Sequence, residues 1–157
     1  MILYKGMENQ KLALYTNLGS QKAKELQENP QAALVFWWAK LGRQVRISGR
    51  TEKMSTRAAE DYFHSRSRLS QIASLTSQQS RPILGRNELE ENFEQNREKF
   101  KDIPTRELPF PAESWGGHWL IPREFEFFHY RDHRLNDRFH YTYEIDKKTW
   151  NIQRLQP

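Results

Sequence analysis

Residues 44–52 read Gln44-Val45-Arg46-Ile47-Ser48-Gly49-Arg50-Thr51-Glu52. Val45, Ile47, Gly49 and Thr51 fall on one side of a period-two pattern; Gln44, Arg46, Ser48, Arg50 and Glu52 fall on the other. Strict alternation marks a strand, because successive side chains of an extended backbone point to opposite faces. Just upstream, residues 32–38 form a continuous apolar run, which predicts a buried strand. Further out, residues 2–4 and 12–15 read as short strands joined by a polar turn over residues 6–10. Strand patterns return at residues 118–121, 124–130, 138–144 and 150–155, with Asp146-Lys147-Lys148 as the last turn.

Helical signals lie between these strands. Ser20 is an N-cap candidate for a helix over residues 21–28, and Asn29-Pro30 stops it. Ser55 opens a helix through Phe63, a second runs over residues 67–75, and Asn87 caps a third with Leu89, Phe93 and Phe100 as its apolar face. Pro104, Pro109 and Pro111 mark a connector that can be neither a helix interior nor a central strand. Strands with short helices inserted between them do not alternate as a doubly wound sheet requires. The expected fold is mainly β: an antiparallel barrel with helical insertions.

The chain has 157 residues, enough for one domain, and five Trp and nine Phe among its 13% aromatic residues. A mean hydropathy of −0.95 would suit a disordered chain, but such chains are poor in aromatics. The reading is a folded domain, residues 1–157, with a polar, Arg-rich surface. The absence of cysteine excludes disulfides. The longest apolar run, residues 32–39, falls far short of the ~20 needed to span a membrane, and charges interrupt the first fifteen positions, so no signal peptide is read. A cytoplasmic, soluble protein is expected, without a membrane partner.

The net charge of +5 has a bland reading, solubility, and a functional one, an anionic ligand. Lys and Arg are dispersed without a run of four, which argues against nucleic acid. There is no Gly-rich phosphate loop, no Gly-x-Ser-x-Gly elbow around any of the six serines between Ser65 and Ser80, and no metal is expected at His129 and His133. Three sets of phosphate-suited groups remain. Lys5, Tyr15, Thr16, Ser20 and Lys22 lie near a helix start, where free N–H groups favour an anion. Tyr62, Arg66 and Ser70 are spaced by four and would share the face of a helix unbroken near Ser65. Arg134 and Arg138 flank Asn136. Each set has a structural alternative: an N-cap for Ser20, core packing for Tyr15 and Tyr62, an ion pair with Asp137 for Arg138.

These residues stand in a larger pattern. Tyr15-Thr16-Asn17-Leu18-Gly19-Ser20-x-Lys22-Ala23, Arg43-Gln44-Val45 and Tyr62-Phe63-His64-Ser65-Arg66-x-Arg68-x-Ser70-Gln71-Ile72 resemble, in order and spacing, segments of the pyridoxine/pyridoxamine 5′-phosphate oxidase family. Ser77-x-Gln79-Ser80, Trp115-Gly116-Gly117, Glu126-Phe127 and His133-Arg134-Leu135-x-Asp137-Arg138-Phe139 continue the resemblance across the chain. It implies an antiparallel split β-barrel homodimer with FMN at the subunit interface and residues 115–157 as the dimerisation part. It also implies oxidation of pyridoxamine or pyridoxine 5′-phosphate to pyridoxal 5′-phosphate, with O2 reduced to H2O2.

Carried over by position, the FMN contacts would be Lys5, Tyr15, Thr16, Lys22, Gln44, Gln79, Ser80, Phe128 and Arg138, with the backbone of residues 2–5 alongside. Lys5, Tyr62, Arg66 and Ser70 would meet the substrate phosphate. Arg134 and Asn136 would lie over the substrate ring and carry catalysis. Departures from the family pattern are Gln21 for an Arg, Asn136 for a His, Phe128 for a Trp, and the lack of an Arg and a further segment ahead of Met1. They motivate a second reading, a paralogue that binds FMN or pyridoxal 5′-phosphate without turnover. A third is a related flavin oxidase with another substrate.

Overall fold

A computed structural model of the chain describes residues 2–157, among which seven strands and four α-helices occur. In chain order they are β1 (Met7–Glu8), β2 (Lys11–Asn17), α1 (Gln21–Glu28), β3 (Gln31–Trp38), β4 (Arg43–Lys53), α2 (Thr56–Ser65), α3 (Arg68–Thr76), α4 (Arg86–Lys99), β5 (Trp115–His129), β6 (Asp137–Glu144) and β7 (Thr149–Leu155). The strands form one sheet in the order β1-β2-β5-β4-β3, with β6 beside β5 and β7 beside β6. The pairings β1–β2, β3–β4, β5–β6 and β6–β7 are all antiparallel. The chain divides into two compact units. The first holds residues 2–4, 13–29 and 53–118; the second holds residues 5–12, 30–52 and 119–157.

The first unit contains the helices. Ser20, Ser55 and Ser67 cap α1, α2 and α3, each side chain accepting from the backbone N–H three residues on. The cap of α4 corrects the expectation at Asn87. The helix begins two residues earlier, after Gly85, and the Glu88 carboxylate in its first turn accepts from Leu84 N at 3.2 Å. An acidic group there also favours the helix dipole. Of the expected apolar face of α4, Phe100 is buried and Phe93 half-buried, but Leu89 is exposed. Phe63 and Ile72 are fully buried, with Leu108 and Trp115 close to it. Phe63 meets Trp115 and Phe110 edge-on, at centroid distances of 5.6 and 5.5 Å.

The second unit carries most of the sheet. Asn9 and Gln10, both at positive φ, form the two-residue turn of the β1–β2 hairpin, which pairs Met7 with Leu12 and Glu8 with Lys11. Two positive φ values match the twist of the flanking strands, so the ladder starts beside the turn. The expected strand at residues 2–4 is therefore absent; regular structure starts at Met7, after Gly6 at φ 101°. β4 buries Ile47 and Gly49, as its alternation predicted. A Cβ on Gly49 would stand 2.0 Å from the Ile121 carbonyl oxygen, so glycine permits the close approach of β4 to β5.

Two expectations fail in this unit. β3 is not buried: its odd-numbered residues are exposed, with Val35 at 61% and Trp37 at 55%. β3 is the last strand in the order, and the face of the sheet that carries its odd-numbered residues is left uncovered. The strands expected at residues 118–121 and 124–130 are one strand, β5. Pro122 lies just before the β6 ladder opens at Glu124, so its missing N–H removes no bond from that ladder.

Candidate functional site

In the first unit, the end of β2 and the start of α1 set the first cluster. Thr16 is buried, and Ser20 is held at the helix start by its capping role. Lys22 Nζ donates to Thr16 Oγ1 at 2.7 Å and to Gln79 Oε1, and lies 3.4 Å from Ser20 Oγ. Thr16 Oγ1 lies 3.1 Å from Gln79 Oε1, which ties the loop after α3 to the end of β2. Ser80 follows at φ 70° and is exposed. Burial holds the Lys22 ammonium below its usual pKa. Its hydrogen bonds go to neutral oxygens, not to carboxylates.

A second cation stands in the same unit. Arg66 lies between α2 and α3 in extended backbone, so the expected shared helical face of Tyr62, Arg66 and Ser70 is broken. The cause is local competition for backbone groups. Ser65 Oγ donates to the Tyr62 carbonyl at 2.7 Å, and Ser67 caps the next helix. Arg66 Nη1 donates to Ser74 Oγ at 2.7 Å, and its guanidinium lies 5.2 Å from the centre of the Trp115 ring. Burial lowers the Arg66 pKa, and Tyr62 opposes the shift. Tyr62 stacks on Tyr15 at 3.7 Å, and Tyr15 stacks on Trp115 at 5.5 Å. One aromatic stack thus joins a residue from each of the first two phosphate-suited sets.

Other predicted residues belong to the second unit. Lys5 is exposed, ahead of β1. Gln44 and Phe128 line a cavity of about 520 Å³ together with Trp38, Leu41, Phe127 and Phe139. Arg138 does not pair with Asp137, which corrects that alternative. Neighbours on a strand face opposite ways. Arg138 instead binds Glu126 Oε1 through Nε at 2.9 Å and Nη2 at 2.8 Å, and donates to the Gln156 carbonyl at 3.1 Å. The other carboxylate oxygen of the buried Glu126 takes Arg46 at 2.7 Å. Asp137 binds Arg131 at 2.8 Å and also Arg154. The hydrogen bond from Arg131 leads the causes that hold its carboxyl below the usual range. Asn136 Oδ1 accepts from Arg131 N at 3.0 Å. Arg134, at φ 64°, is exposed.

Ser74, Gln71, Trp115 and Glu126 surround predicted residues without having been assigned a role from the sequence. Three of them stand inside the resembling segments. Ser74 carried no signal, being one serine of six between Ser65 and Ser80.

Residues 1–100 match the family model described as pyridoxamine 5′-phosphate oxidase, and residues 115–157 match that described as the pyridoxine 5′-phosphate oxidase C-terminal dimerisation region. A pyridoxine/pyridoxamine 5′-phosphate oxidase of Nostoc sp. is 45% identical over 157 residues, covering all of this chain and 71% of that protein. One of the same name from Idiomarina loihiensis is 42% identical over the same shares. Among solved structures, PhzG from Burkholderia lata, in complex with tetrahydrophenazine-1-carboxylic acid, aligns with a TM-score of 0.85 at 24% identity, over 99% of this chain and 73% of that one. A pyridoxamine 5′-phosphate oxidase-related, FMN-binding protein from Nostoc punctiforme aligns with a TM-score of 0.74 at 18% identity, over 99% and 78%. These likenesses bear out the expected fold, a mainly β, antiparallel split barrel with helical insertions.

Proposed function

The chain belongs to the pyridoxine/pyridoxamine 5′-phosphate oxidase family, and from that premise we propose that it is an FMN-dependent oxidase. Its reaction oxidises the C4′ alcohol of pyridoxine 5′-phosphate to the aldehyde of pyridoxal 5′-phosphate, or the C4′ amine of pyridoxamine 5′-phosphate to an imine that water hydrolyses to the same aldehyde with release of ammonia. In both cases O2 takes up the two electrons and two protons and leaves as H2O2. The observation that carries this reading is the pair of partly desolvated cations in the first unit. Lys22 and Arg66 are both held by neutral oxygens and not by carboxylates. A cation ringed by hydroxyl and amide groups complements a phosphate monoester. Cofactor and substrate each carry one such group, so the donor set fits both.

In this reading Tyr15, Thr16, Lys22, Gln79 and Ser80 hold the cofactor phosphate end. Gln44, Phe128 and Arg138 are its further contacts, and Lys5 serves both ligands. Lys5, Tyr62, Arg66 and Ser70 hold the substrate phosphate, which turns remote binding energy into alignment of the reacting carbon. FMN, when bound, would supply the two-electron redox chemistry between the substrate C4′ carbon and O2. Arg134 and Asn136 lie over the substrate ring, where the arginine stabilises developing negative charge. Asn136 does so without titrating near neutral pH.

The functional form in this reading is a homodimer of single-domain chains, 1–157, that pair through residues 115–157 around the cofactor. The C-terminal family match supports it, as do the exposed apolar residues Val35, Trp37, Leu41 and Ile152 of the second unit.

The test is titration of the purified chain with FMN, followed by turnover. Quenching of flavin fluorescence and H2O2 release with pyridoxamine 5′-phosphate are expected. An unchanged flavin spectrum overturns the cofactor assignment, and FMN binding without H2O2 overturns the oxidase.

A further inference from the structure

Arg66 stands outside the helices on either side of it, at φ −79° and ψ 159°. A long side chain at such a break has much rotamer freedom, so its direction must come from its neighbours. Gln71, fully buried, donates through Nε2 to the Arg66 carbonyl at 2.9 Å and lies 3.4 Å from the His64 carbonyl. Both oxygens belong to the chain turning out of α2, so one amide pins the break. Ser74 Oγ accepts from Arg66 Nη1 at 2.7 Å, and its own proton goes to the Ser70 carbonyl at 3.2 Å. That second bond leaves the hydroxyl oxygen facing the guanidinium as an acceptor. Trp115 closes the third side.

Gln71 and Ser74 are three residues apart on α3 and so share one helix face. Gln71 Oε1 is buried without a hydrogen-bond partner among the described residues. Burying an amide oxygen unpaired is costly. What the glutamine supplies that an apolar side chain of equal size would not is its amide donor group, which meets the Arg66 and His64 carbonyls.

We infer that Gln71 and Ser74 are positioning residues for Arg66. Gln71 fixes where its side chain starts, and Ser74 fixes where its guanidinium ends, so that the cation is already aimed when a phosphate monoester arrives. This rests on the reading that Arg66 meets the substrate phosphate. Preorganisation of this kind raises affinity by removing the ordering cost from the binding step.

The experiment compares wild type, Arg66→Ala, Gln71→Met, Ser74→Ala and Ser74→Thr, with each α3 variant also made in the Arg66→Ala background. The FMN-loaded proteins are assayed for KM and kcat with pyridoxamine 5′-phosphate and with unphosphorylated pyridoxamine. Pyridoxal 5′-phosphate and pyridoxal binding are read by tryptophan fluorescence. Gln71→Met and Ser74→Ala are expected to weaken the phosphorylated ligands about tenfold, the scale of one net hydrogen bond. They should leave the unphosphorylated ligands unchanged and add nothing in the Arg66→Ala background. Ser74→Thr, which keeps the hydroxyl, should restore affinity.

If Arg66→Ala leaves phosphate affinity unchanged, the underlying reading of Arg66 fails. If Arg66→Ala weakens it and both α3 variants do not, the positioning inference fails. Equal losses for phosphorylated and unphosphorylated ligands also overturn it. Should Gln71→Met not fold, Ser74→Ala at its half-buried site decides the question by the same comparison.

Discussion

Lys22 and Thr16 are joined by a 2.7 Å hydrogen bond in which the ammonium donates to a buried hydroxyl oxygen. The contact draws a cation from the first turn of α1 back over the end of β2, where Gln79 also meets it. A charge so placed has lost part of its hydration, and burial lowers its pKa accordingly.

Replacing it tests whether that charge serves an anion. Lys22→Met keeps the length of the side chain and removes the donor. A hydrogen bond to a charged group contributes roughly 1.5–3 kcal/mol, so FMN affinity should fall about 10- to 100-fold with the fold intact. The wild-type affinity should also weaken at alkaline pH, as the free ammonium loses its proton below the usual lysine value. Fluorescence titrations of both proteins from neutral to alkaline pH check both outcomes. Equal affinity in the variant would remove Lys22 from the cofactor site.

Phe63→Ala probes the packing behind Arg66. The ring is fully buried and lies edge-on to Trp115 and Phe110. Truncating a buried phenylalanine costs about 3–5 kcal/mol, from lost transfer energy and from the cavity left behind. Urea denaturation should show a lower midpoint at unchanged slope. A loss below about 1 kcal/mol, within the range of ordinary surface substitutions and small repackings, would mean that this ring is not central to the unit.

What was legible in the sequence was local. The alternation of β4 and the serine caps depend on residues within a few positions of one another, and they stand as read. The gap around Arg66 was legible, since one helix was read to end at Phe63 and the next to start at Ser67, but Gln71 reaching back five residues to the Arg66 carbonyl was not. The exposure of β3 lies mainly on one face, and a run of apolar residues does not encode which face of a sheet is covered. Asn87 misled because a good capping residue lost to Glu88, whose carboxylate reaches Leu84. At the candidate site, the segment order singled out Lys22, Arg66 and Arg138 as candidates, whose roles remain proposals. The partner of Arg138 was not readable, because Glu126 is brought to it by the β5–β6 register.

Gly49→Ala tests the closeness of β4 and β5. The added methyl would meet the Ile121 carbonyl oxygen at 2.0 Å and its carbon at 2.9 Å. Both are backbone atoms, so the strands themselves must separate. Overpacking a tight core typically costs about 1–3 kcal/mol, and a backbone clash belongs at or above the top of that range. Thermal unfolding should show a marked fall in Tm. A variant as stable as the parent would show that the strands can part without loss.

His118 lends the fold a pH dependence of predictable sign. Its Nε2 atom is buried and has no hydrogen-bond partner among the described residues. Burial, and then the positive charge of Lys53, hold its pKa below the ordinary value of 6.5. The unfolded chain therefore takes up a proton from about pH 6.5 downward, while the folded chain takes it up only at lower pH. Between those two values the unfolded state binds more protons, so stability rises with pH and is complete above about 6.5. His118→Phe keeps a ring of similar size and removes the titration. Urea midpoints measured from pH 5 to 7.5 should fall with acidity more steeply in the parent than in the variant. Carboxylates such as Asp137 titrate in both proteins and cancel in the difference. Parallel curves would show that His118 is protonated as readily in the folded chain as in the unfolded one.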